Sequence, residues 1–572
     1  MQDLDDGVVA KVAISKCLSR SAKEDSAVHL LRWCDGPYTS QIPLSDRQPD
    51  YCQTTYTLLG SASAVESGGQ AVPEEDRAGS RSMTRPGEDY IASLDDGRTV
   101  IVDGERVGDV AKHPIFAPSV ASVARLYDVS HDPANRDLMT YESPSNGQPA
   151  NLAWLVPTSR EDLKARRLAI EHWAKQSFGL FGRSPDHVAS FFAGFVGASE
   201  WFSKGGKKYE DNLLRYYERA RDEDLYLSYA IIHPQVDRTK APHEQPEEHL
   251  YASIVDETDN GVVLRGAQML GTGSAISNHV FVSCILPLPK GSEDYAISVS
   301  VPCGTPGLRI YPRRLYAGGA TSRFDYPLST QFDETDSLIV FDDVHVPWEN
   351  VFVNRDIDIT AAQFHETAAH NLGNTQAQIR FFVKLKFILG LARKLSECSG
   401  VIQSRPNQLD LGELAARVAI PEGMVLGAEG SSTIDSNGVA RPNPKMLYAA
   451  MTLQPRLYQE IIFALREMTG GSMIEVPSSN LSWGDPVSEF DYGRYVRWSD
   501  TDSRERVKLL KLIWDIVGSE FASRAFQYEM FYAGSNSVVK GRSFANYPWG
   551  EATDLVDECL AGYALEGFEG VD

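Results

Sequence analysis

A short polar stretch, Gly182-Arg183-Ser184-Pro185-Asp186-His187, has side chains that could bind a small anion. A serine before a proline is a typical helix start, because the first helical position does not need the amide hydrogen that proline lacks, so we expect Ser184 to cap a helix that begins with Pro185 and Asp186 and continues through the apolar run at residues 188–198. The free amides at that start carry partial positive charge, and Arg183 adds a full one. The stretch predicts a site for a planar anion, shared by His187 one turn into the helix. The simpler alternative is a surface helix with a solvated arginine.

Two histidines farther along the chain, His365 and His370, form a pattern that resembles a zinc-binding helix motif. They lie five positions apart rather than four, which separates them by roughly 140° around a helix, so we predict no metal site. His370 stands just before a long apolar helical pattern and could place an imidazole at a cavity. A hydrogen-bonded structural histidine is the alternative.

Three loops have a composition that suits ligand contact. Residues 230–238 contain a proline that stops strand pairing, residues 266–274 are rich in glycine, whose backbone can approach a ligand closely, and residues 341–352 leave a predicted strand. Together they predict a pocket where a helical and a β-rich region meet. The sequence has no phosphate-binding loop, nucleophile elbow or dinucleotide-binding glycine motif after a strand, which indicates that it has no nicotinamide-binding domain of its own.

The overall charge and the cysteines narrow the class of protein. The 572 residues carry a formal net charge of -23, which argues against nonspecific binding to nucleic acid or to an anionic membrane, since both need a basic face. The cysteines are few and widely spaced, and we find neither a signal peptide nor a long apolar span. We therefore expect a cytoplasmic protein that binds neither nucleic acid nor membrane.

The chain divides into four predicted regions. Residues 1–82 are interpreted as an extension or linker that is not essential, because residues 61–82 are rich in Gly, Ser, Ala and Glu, with a small extra domain as the alternative. Residues 83–223 have helical periodicity, which predicts an N-terminal helical domain. Residues 224–355 consist of short β-branched runs separated by turns, and residues 356–572 return to long helical patterns that predict a bundle.

Several motifs, in order from about Met83 to the end of the chain, resemble one known family. They are Arg85-Pro86-Gly87-Glu88-Asp89-Tyr90, the stretch around Arg183, His233-Pro234-Gln235-Val236-Asp237-Arg238, Arg265-Gly266-Ala267 with its glycine loop, and Asp342-Asp343-Val344-His345-Val346-Pro347-Trp348-Glu349. They are similar to the 4-hydroxyphenylacetate 3-hydroxylase family, the oxygenase components of two-component phenol hydroxylases that use reduced flavin. The resemblance implies an α+β, acyl-CoA-dehydrogenase-like fold with an N-terminal helical domain, a middle antiparallel β barrel and a C-terminal helical bundle, assembled as a homotetramer.

The resemblance also implies roles for individual residues. Arg183 corresponds to the arginine that binds the phenol oxygen, and His370 resembles the base histidine of the chlorophenol and nitrophenol branch. His187 and Tyr229 belong to the substrate pocket, where the 4-hydroxyphenylacetate enzymes have a tyrosine and a histidine instead. The positions that match flavin contacts are His233, Pro234, Gln235, Arg238, Thr272, Gln376, Gly470, Gly471 and Ser472.

The reaction that the resemblance implies is hydroxylation of a phenol. Reduced FAD, made by a separate NAD(P)H:flavin reductase, would react with molecular oxygen to give a C4a-hydroperoxyflavin that attacks an electron-rich ring. The departures at His187 and Tyr229 favour a nitrophenol, a chlorophenol or a related phenol, with 4-hydroxyphenylacetate as the alternative substrate. The sequence leaves open whether oxygen enters beside the hydroxyl group or displaces a para nitro or chloro group.

Other classes of protein remain as alternatives. An acyl-CoA-dehydrogenase-type enzyme shares the implied architecture, although no matched motif supplies its carboxylate base. A related dehydratase would need clustered cysteines for an iron–sulfur cluster, and the cysteines after Met83 are not clustered. A flavin-binding protein without turnover is the last alternative.

Overall fold

Helical regions precede and follow a pair of β-sheets along the chain in the computed structural model, which describes residues 84–320 and 322–563. The described residues all belong to one compact unit. The predicted extension at residues 1–82 lies outside the described residues, and that it is not essential stays a prediction. Within the described part of the chain, no helix combines the length and the apolar surface needed to cross a membrane.

The helices begin where the local sequence favours a start. Ser159, Asp356, Asp502 and Ser519 are N-cap residues whose side chains accept a backbone hydrogen bond from the first turn. The described helices are α1 Gly87–Ala92, α2 Ala117–His131, α3 Arg136–Met139, α4 Arg160–Gln176, α5 Pro185–Val196, α6 Glu200–Ser203, α7 Lys207–Asp222, α8 Ser329–Phe332, α9 Ile357–Glu366, α10 Ala369–Cys398, α11 Arg405–Gly430, α12 Pro444–Thr469, α13 Pro486–Tyr495, α14 Ser503–Val517, α15 Glu520–Phe531, α16 Asn536–Ala545 and α17 Trp549–Ala561.

Two larger sheets occupy the middle of the chain. The described strands are β1 Thr99–Val102, β2 Glu105–Val107, β3 Thr140–Glu142, β4 Pro149–Asn151, β5 Leu227–Ala230, β6 Ser253–Thr258, β7 Gly261–Gln268, β8 His279–Ser283, β9 Ile297–Pro302, β10 Leu308–Pro312, β11 Ser337–Pro347, β12 Val351–Asn354, β13 Thr433–Ile434 and β14 Ala440–Arg441. One sheet has the strand order β2-β1-β10-β11-β7-β6, and the other has the order β12-β9-β8-β5. The strands β3 with β4, and β13 with β14, form two small separate hairpins or ladders.

The sheets differ from the predicted antiparallel barrel in two ways. β1 pairs with β10, and β5 with β8, in parallel, and the chain between the strands of each pair is long enough for the crossover that parallel pairing needs. Each sheet also has two edge strands in the described residues, so a closed barrel is not confirmed. The strands β1 and β2 come from the region predicted to be helical, and they extend the larger sheet.

Helix α10 is the central element of the helical part. Its residues are buried on nearly every side from Ala369 to Leu385, and several of them are polar and hydrogen-bonded inside the protein, among them His370, Gln376 and Arg380. It packs against α4, α5, α11 and α12. The main apolar core runs without a break from Tyr90 in α1 through Val282 in β8 to Leu510 in α14, and so it joins the sheets to both helical regions.

Candidate active site

Helix α5 starts at Pro185, as predicted, and its first turn is completely buried. Ser184 occupies the N-cap position, but its side chain makes no cap hydrogen bond, so the predicted capping by this serine is wrong. The amide of His187 donates to the Ser184 carbonyl at 2.9 Å, which leaves the hydroxyl free for another partner. That hydroxyl donates to Oδ1 of Asp186, because a buried carboxylate needs donors around it.

Arg183 is buried, with 8% of its surface exposed, so the alternative of a solvated surface arginine is wrong. Its Nη1 donates to Nε2 of His187 at 2.9 Å, and its Nη2 donates to the carbonyl of Tyr532 at 3.4 Å. The guanidinium carbon lies 5.0 Å from the ring centre of Tyr229 and 5.3 Å from that of Tyr528. Because aromatic faces attract a cation without neutralising it, the site keeps its positive charge.

Other buried arginines nearby are neutralised, whereas Arg183 is not. Arg380 donates to both carboxylate oxygens of Glu529 at 2.8 and 2.9 Å, and Arg524 donates to both oxygens of Asp336 at 2.8 and 2.6 Å. Among the residues that the structure describes, no carboxylate contacts the guanidinium of Arg183. A guanidinium has five N–H donors, so several remain for an anionic ligand.

His187 continues a chain of buried hydrogen bonds that starts at Arg183. Its Nδ1 lies 2.9 Å from Oε1 of Gln376 on α10, and Nε2 of Gln376 donates to Oδ1 of Asp186 at 2.9 Å. Burial, and then the charge of Arg183, hold the pKa of His187 well below its usual value, so this imidazole is neutral. Burial raises the pKa of Asp186 to about 6, although the hydrogen bonds from Ser184 and Gln376 oppose that shift.

A network of ion pairs joins Arg183 to the glycine-rich loop after β7. The backbone amide of Arg183 donates to Oε1 of Glu334 at 2.5 Å, and Oε2 of the same carboxylate accepts from Arg524 at 2.9 Å. Arg524 also holds Asp336, which accepts the hydroxyl of Thr272 at 2.7 Å. Burial opposes the ionisation of Asp336, but Arg524 outweighs it and keeps the pKa of this carboxyl below its usual range.

The glycine-rich loop and the Arg183 loop also meet directly. The hydroxyl of Tyr226 donates to the carbonyl of Arg183 at 2.6 Å. Gly273 has a φ of 81°, and a Cβ at this position would lie 2.7 Å from the Tyr226 hydroxyl oxygen. Glycine is therefore required both by the backbone conformation and by the close approach. This contact places Thr272 beside the loop that carries Arg183.

The sequence profiles of one family match almost the whole described chain. The profile for the N-terminal part of 4-hydroxyphenylacetate 3-hydroxylase matches residues 86–353, and the profile for the C-terminal part matches residues 360–561. The chain belongs to the 4-hydroxyphenylacetate 3-hydroxylase family. A protein of Pseudomonas aeruginosa named 4-hydroxyphenylacetate 3-monooxygenase oxygenase component is 34% identical over 508 residues, which cover 87% of this chain and 96% of that protein.

Two further comparisons agree with membership of the hydroxylase family. A Rhodococcus protein named 4-nitrophenol 2-monooxygenase, oxygenase component, is 35% identical over 505 residues, which cover 86% of this chain and 96% of that protein. The crystal structure of the oxygenase component HpaB complexed with FAD and 4-hydroxyphenylacetate superimposes with a TM-score of 0.79 at 30% identity, covering 84% of this chain and 99% of that one. As a member of the hydroxylase family, this chain is an enzyme of the two-component flavin-dependent monooxygenase type.

The structure brings together four of the site residues expected from the hydroxylase family. Arg183, His187 and Tyr229 form one cluster, in which the rings of His187 and Tyr229 lie 5.4 Å apart. Gln376, which was expected to contact flavin, is hydrogen-bonded to His187 in the same cluster. Tyr229 lies on β5, and the expected flavin loop at residues 233–238 follows that strand directly.

His370 is not part of the Arg183 cluster. Its Nδ1 lies 3.0 Å from the hydroxyl of Tyr448 on α12, and its ring centre lies 4.5 Å from that of His365. His370 and Gln376 are six positions apart on α10, which places them on different sides of that helix. Within residues 84–320 and 322–563, no group of three or more His, Cys, Asp or Glu side chains could hold a metal ion, so His365 and His370 belong to no such group.

The expected flavin residues other than Gln376 lie at three places in the fold. His233 is buried against Tyr251, with the two ring centres 4.7 Å apart, while Pro234, Gln235 and Arg238 are partly or fully exposed beside it. Thr272 is buried in the glycine-rich loop. The third group follows the end of α12 and consists of Gly470, Gly471 and Ser472. Within the described residues, this third group makes no hydrogen bond to the other two.

Several residues of the site were not found from the sequence. Glu334 and Asp336 form part of an acidic run just before β11, and acidic side chains ahead of a buried strand are a signal that could have identified them. Tyr528, Tyr532 and Glu529 come from α15 and its end, more than 300 positions after Arg183, and no local pattern connects them with it.

Proposed function

We propose that this chain is the oxygenase component of a two-component enzyme that hydroxylates a para-substituted phenol beside its hydroxyl group. It would use molecular oxygen and reduced FAD that a separate NAD(P)H:flavin reductase delivers. The observation that supports this most strongly is the buried guanidinium of Arg183, which has aromatic walls and no carboxylate partner among the described residues. Such a group suits a phenolate oxygen carried on an aromatic ring.

The names of two relatives support ortho hydroxylation. In 4-hydroxyphenylacetate 3-monooxygenase and in 4-nitrophenol 2-monooxygenase, the named position is next to the phenol hydroxyl group. Because both substrates carry a para substituent, we propose a para-substituted phenol that is converted into a catechol. The sequence-based preference for a nitrophenol or chlorophenol is not confirmed, and 4-hydroxyphenylacetate is the better supported first candidate.

The residues of this chain would favour the reactive form of the substrate. An unperturbed phenol has a pKa of about 10, and a positive group that is fixed in a water-poor site lowers that value. Arg183 is such a group, and Phe191 and Tyr229 pack at 5.6 Å from each other to exclude water beside it. When bound, reduced FAD and oxygen would supply the electrophilic oxygen atom. The phenol would release its proton to the solvent and bind as the phenolate, because the phenolate pairs with the arginine.

The residues proposed for FAD binding fit a polar, planar and anionic cofactor. Nε2 of His233 is buried and has no hydrogen-bond partner among the described residues, so it is available to a ligand. Arg238 is exposed and makes no ion pair within the described residues, which suits a phosphate group. A Cβ at Gly470 or Gly471 would meet nothing within 4 Å, so there is room for a flat group at this turn.

A homotetramer is part of the proposal. The C-terminal helices expose large apolar side chains, as expected of faces that other subunits cover. Those that are more than 60% exposed include Ile474, Leu481, Val487, Phe490, Tyr495, Phe544, Leu555 and Tyr563. Sedimentation equilibrium is the measurement for the oligomeric state, and a monomer at micromolar concentration would contradict this part of the proposal.

The test of the reaction uses the full chain with chemically reduced FAD. It is mixed with air-saturated buffer and either 4-hydroxyphenylacetate or 4-nitrophenol, and the products are identified by mass spectrometry. We expect a catechol from at least one of the two phenols. If neither phenol is hydroxylated while reduced FAD is consumed, the proposed reaction is wrong for para-substituted phenols.

A matched pair of variants tests the assignment of Arg183. We expect Arg183→Ala to lose at least about 100-fold in kcat/KM, with oxygen released as hydrogen peroxide, because the phenolate loses its cation. Arg167→Ala removes an arginine that is paired with Glu429 instead, and it should retain the activity. Hydroxylation at the wild-type rate by Arg183→Ala would show that the site has been placed wrongly.

A further inference from the structure

A continuous chain of hydrogen bonds links Arg183 to a buried carboxylate without direct contact between the two. Arg183 Nη1 lies 2.9 Å from His187 Nε2, His187 Nδ1 lies 2.9 Å from Gln376 Oε1, and Gln376 Nε2 lies 2.9 Å from Asp186 Oδ1. Gln376 Nε2 is also 3.3 Å from the hydroxyl oxygen of Ser184. His187, Asp186 and Gln376 are at most 2% exposed, so water does not compete for these bonds.

The charged ends of the chain determine the direction of every hydrogen bond in it. A guanidinium can only donate, so Nε2 of His187 must accept from Arg183. In the neutral imidazole the proton is then on Nδ1, which donates to Oε1 of Gln376. The amide nitrogen of Gln376 consequently faces Asp186, whose carboxylate accepts from it. No other assignment of the Gln376 amide or of the His187 proton satisfies all three bonds.

This arrangement orients Arg183 and leaves its charge available. Arg380 and Arg524 are oriented by carboxylates that contact them, which cancels most of their charge. Arg183 is oriented by a neutral ring, and Asp186 lies two side chains farther away. Glu334 accepts from the backbone amide of Arg183 rather than from its guanidinium, and its other oxygen accepts from Arg524. A ligand oxygen therefore meets an arginine that is fixed in direction but not neutralised.

We propose that Gln376 and Asp186 are positioning residues for the phenol site: they hold neutral His187 with its proton on Nδ1, so that Nε2 keeps the Arg183 guanidinium oriented towards the phenolate. The inference rests on the proposed function for the identity of the ligand, but the position of the proton on His187 does not depend on it. The competing explanation is that these polar groups only pack α5 against α10, in which case their loss would affect stability alone.

The first experiment is a double-mutant cycle on phenolate binding. The full chain with reduced FAD is kept under nitrogen, so that no oxygen reacts, and its affinity for 4-nitrophenol and for 4-hydroxyphenylacetate is measured by absorbance and by calorimetry. We expect Gln376→Leu to weaken binding at least about tenfold in the otherwise unchanged protein, and less than about twofold when His187→Phe is already present. An equal loss in both backgrounds would overturn the proposal.

Two further variants separate positioning from packing. Asp186→Asn keeps the shape of the side chain but removes the fixed acceptor, and we expect it to weaken binding and to add little to the effect of Gln376→Leu. Gln363→Leu removes another buried glutamine, one that is bonded to Ser283 and Ser298, and should change binding less than about twofold even if it lowers the melting temperature. If Gln363→Leu weakens phenol binding as much as Gln376→Leu does, the packing explanation is supported.

The second experiment reads the proton on His187 directly and also serves if Gln376→Leu does not fold. Solid-state nitrogen NMR of the full chain labelled with 15N-histidine distinguishes Nδ1–H from Nε2–H, and the His187 signals are those that disappear in His187→Phe. We expect Nδ1–H in the wild-type chain, and an Nε2–H signal there would overturn the proposal. If neither phenol binds while Nδ1–H is observed, the proposed function fails and the orientation of His187 by Gln376 stands.

Discussion

Arg183 carries its charge inside the protein, and its nearest neighbours are rings and a carbonyl group. His187 and Tyr229 both contact this arginine, one by a hydrogen bond and one through its ring face. The departures that the family resemblance implies at these two positions would thus alter the environment of the charge itself. We infer that they adjust how strongly a phenol is ionised in the site.

Asp224 is a buried carboxyl that should make stability depend on pH. Its Oδ2 has no hydrogen-bond partner among the described residues, and burial raises its pKa from 3.8 to about 6. The folded chain therefore binds the Asp224 proton more tightly than the unfolded chain does. Ionisation of Asp224 does not affect the free energy of unfolding below pH 3.8. Above pH 6 it lowers that free energy by about 3 kcal/mol.

Asp224→Asn should therefore stabilise the chain more at pH 8 than at pH 5, by about 1 kcal/mol. The residue has a φ of 47°, a conformation that asparagine also adopts readily, so the backbone adds no strain. Thermal melts at the two pH values are the measurement. Asp358→Asn, at an exposed position on α9, is the control and should show the same small change at both. A larger gain at pH 5 would contradict the assignment of burial as the cause.

Among the elements, α10 and α5 approach each other closely at glycines. A Cβ on Gly373 in α10 would overlap the ring of Phe191 in α5, whereas a Cβ on Gly390, in the same helix, would meet nothing within 4 Å. We expect Gly373→Ala to lower the free energy of unfolding by about 1–3 kcal/mol and Gly390→Ala to raise it by about 0.5–1 kcal/mol. Urea unfolding measures both free energies. A lower free energy of unfolding for Gly390→Ala would show that helix propensity does not determine the effect of this substitution.

Helix α15 is tied to α10 by a buried ion cluster. Glu529 accepts from Arg380 and Lys384 of α10 and from Gln454 of α12. Burial opposes its ionisation, but Arg380 and Lys384 outweigh it and hold the pKa of Glu529 at about 2. The carboxylate therefore stabilises the fold above its unfolded pKa of 4.5, and this contribution is lost as the pH falls from 4.5 to about 2.

Glu529→Gln leaves two buried cations without their anion and should lower the free energy of unfolding by about 3–5 kcal/mol. Since α15 also carries Tyr528 over Arg183, phenol binding should weaken as well. Calorimetry at pH 7 and phenol titration are the two measurements. Glu397→Gln breaks exposed ion pairs of α10 and should leave the melting temperature unchanged. A variant of Glu529 as stable as the wild type would contradict the cluster's role.

At the scale of the whole molecule, the sequence predicted elements better than their contacts. The β-branched run at residues 261–266 predicts a strand, and β7 is observed at Gly261–Gln268. The run at residues 337–341 predicts a strand that in the structure continues to Pro347, since a bulge with Asp343 at a φ of 53° lets the pairing resume. The helical pattern at residues 502–532 predicts one long helix, which is divided into α14 and α15 because Gly518 ends the first and Ser519 caps the second.

The candidate site shows the same contrast. Arg183 and His187 were recognised because they are neighbours in a short motif with a helix start. Tyr229, on β5, was expected beside Arg183 only from the family resemblance. Tyr528 comes from α15, and side chains that meet only after folding leave no periodic signal. The side of α10 on which His370 lies could not be predicted, because it depends on where that helix begins, and α10 begins at Ala369.

The extension at residues 1–82 provides a prediction for the whole chain. The matched family profile begins at residue 86, and the described core starts at Tyr90. We therefore expect a chain that starts at Met83 to fold with an unchanged melting temperature and the same hydroxylation rate. Calorimetry and the product assay compare the two chains. A truncated chain that aggregates or loses activity would assign residues 1–82 an essential role, and the predicted boundaries at 83, 224 and 356 would need revision.

The bond from Arg183 to the carbonyl of Tyr532 spans 349 positions of the chain. A ribosome that adds roughly 5–20 residues per second needs about 20–70 s to synthesise the chain between them. During this interval a nascent chain has Arg183 and Tyr229 but not Tyr528, Tyr532 or Glu529. The full Arg183 cluster thus cannot assemble on an unfinished polypeptide, and a message that is truncated before the codon for Tyr528 yields a protein without it.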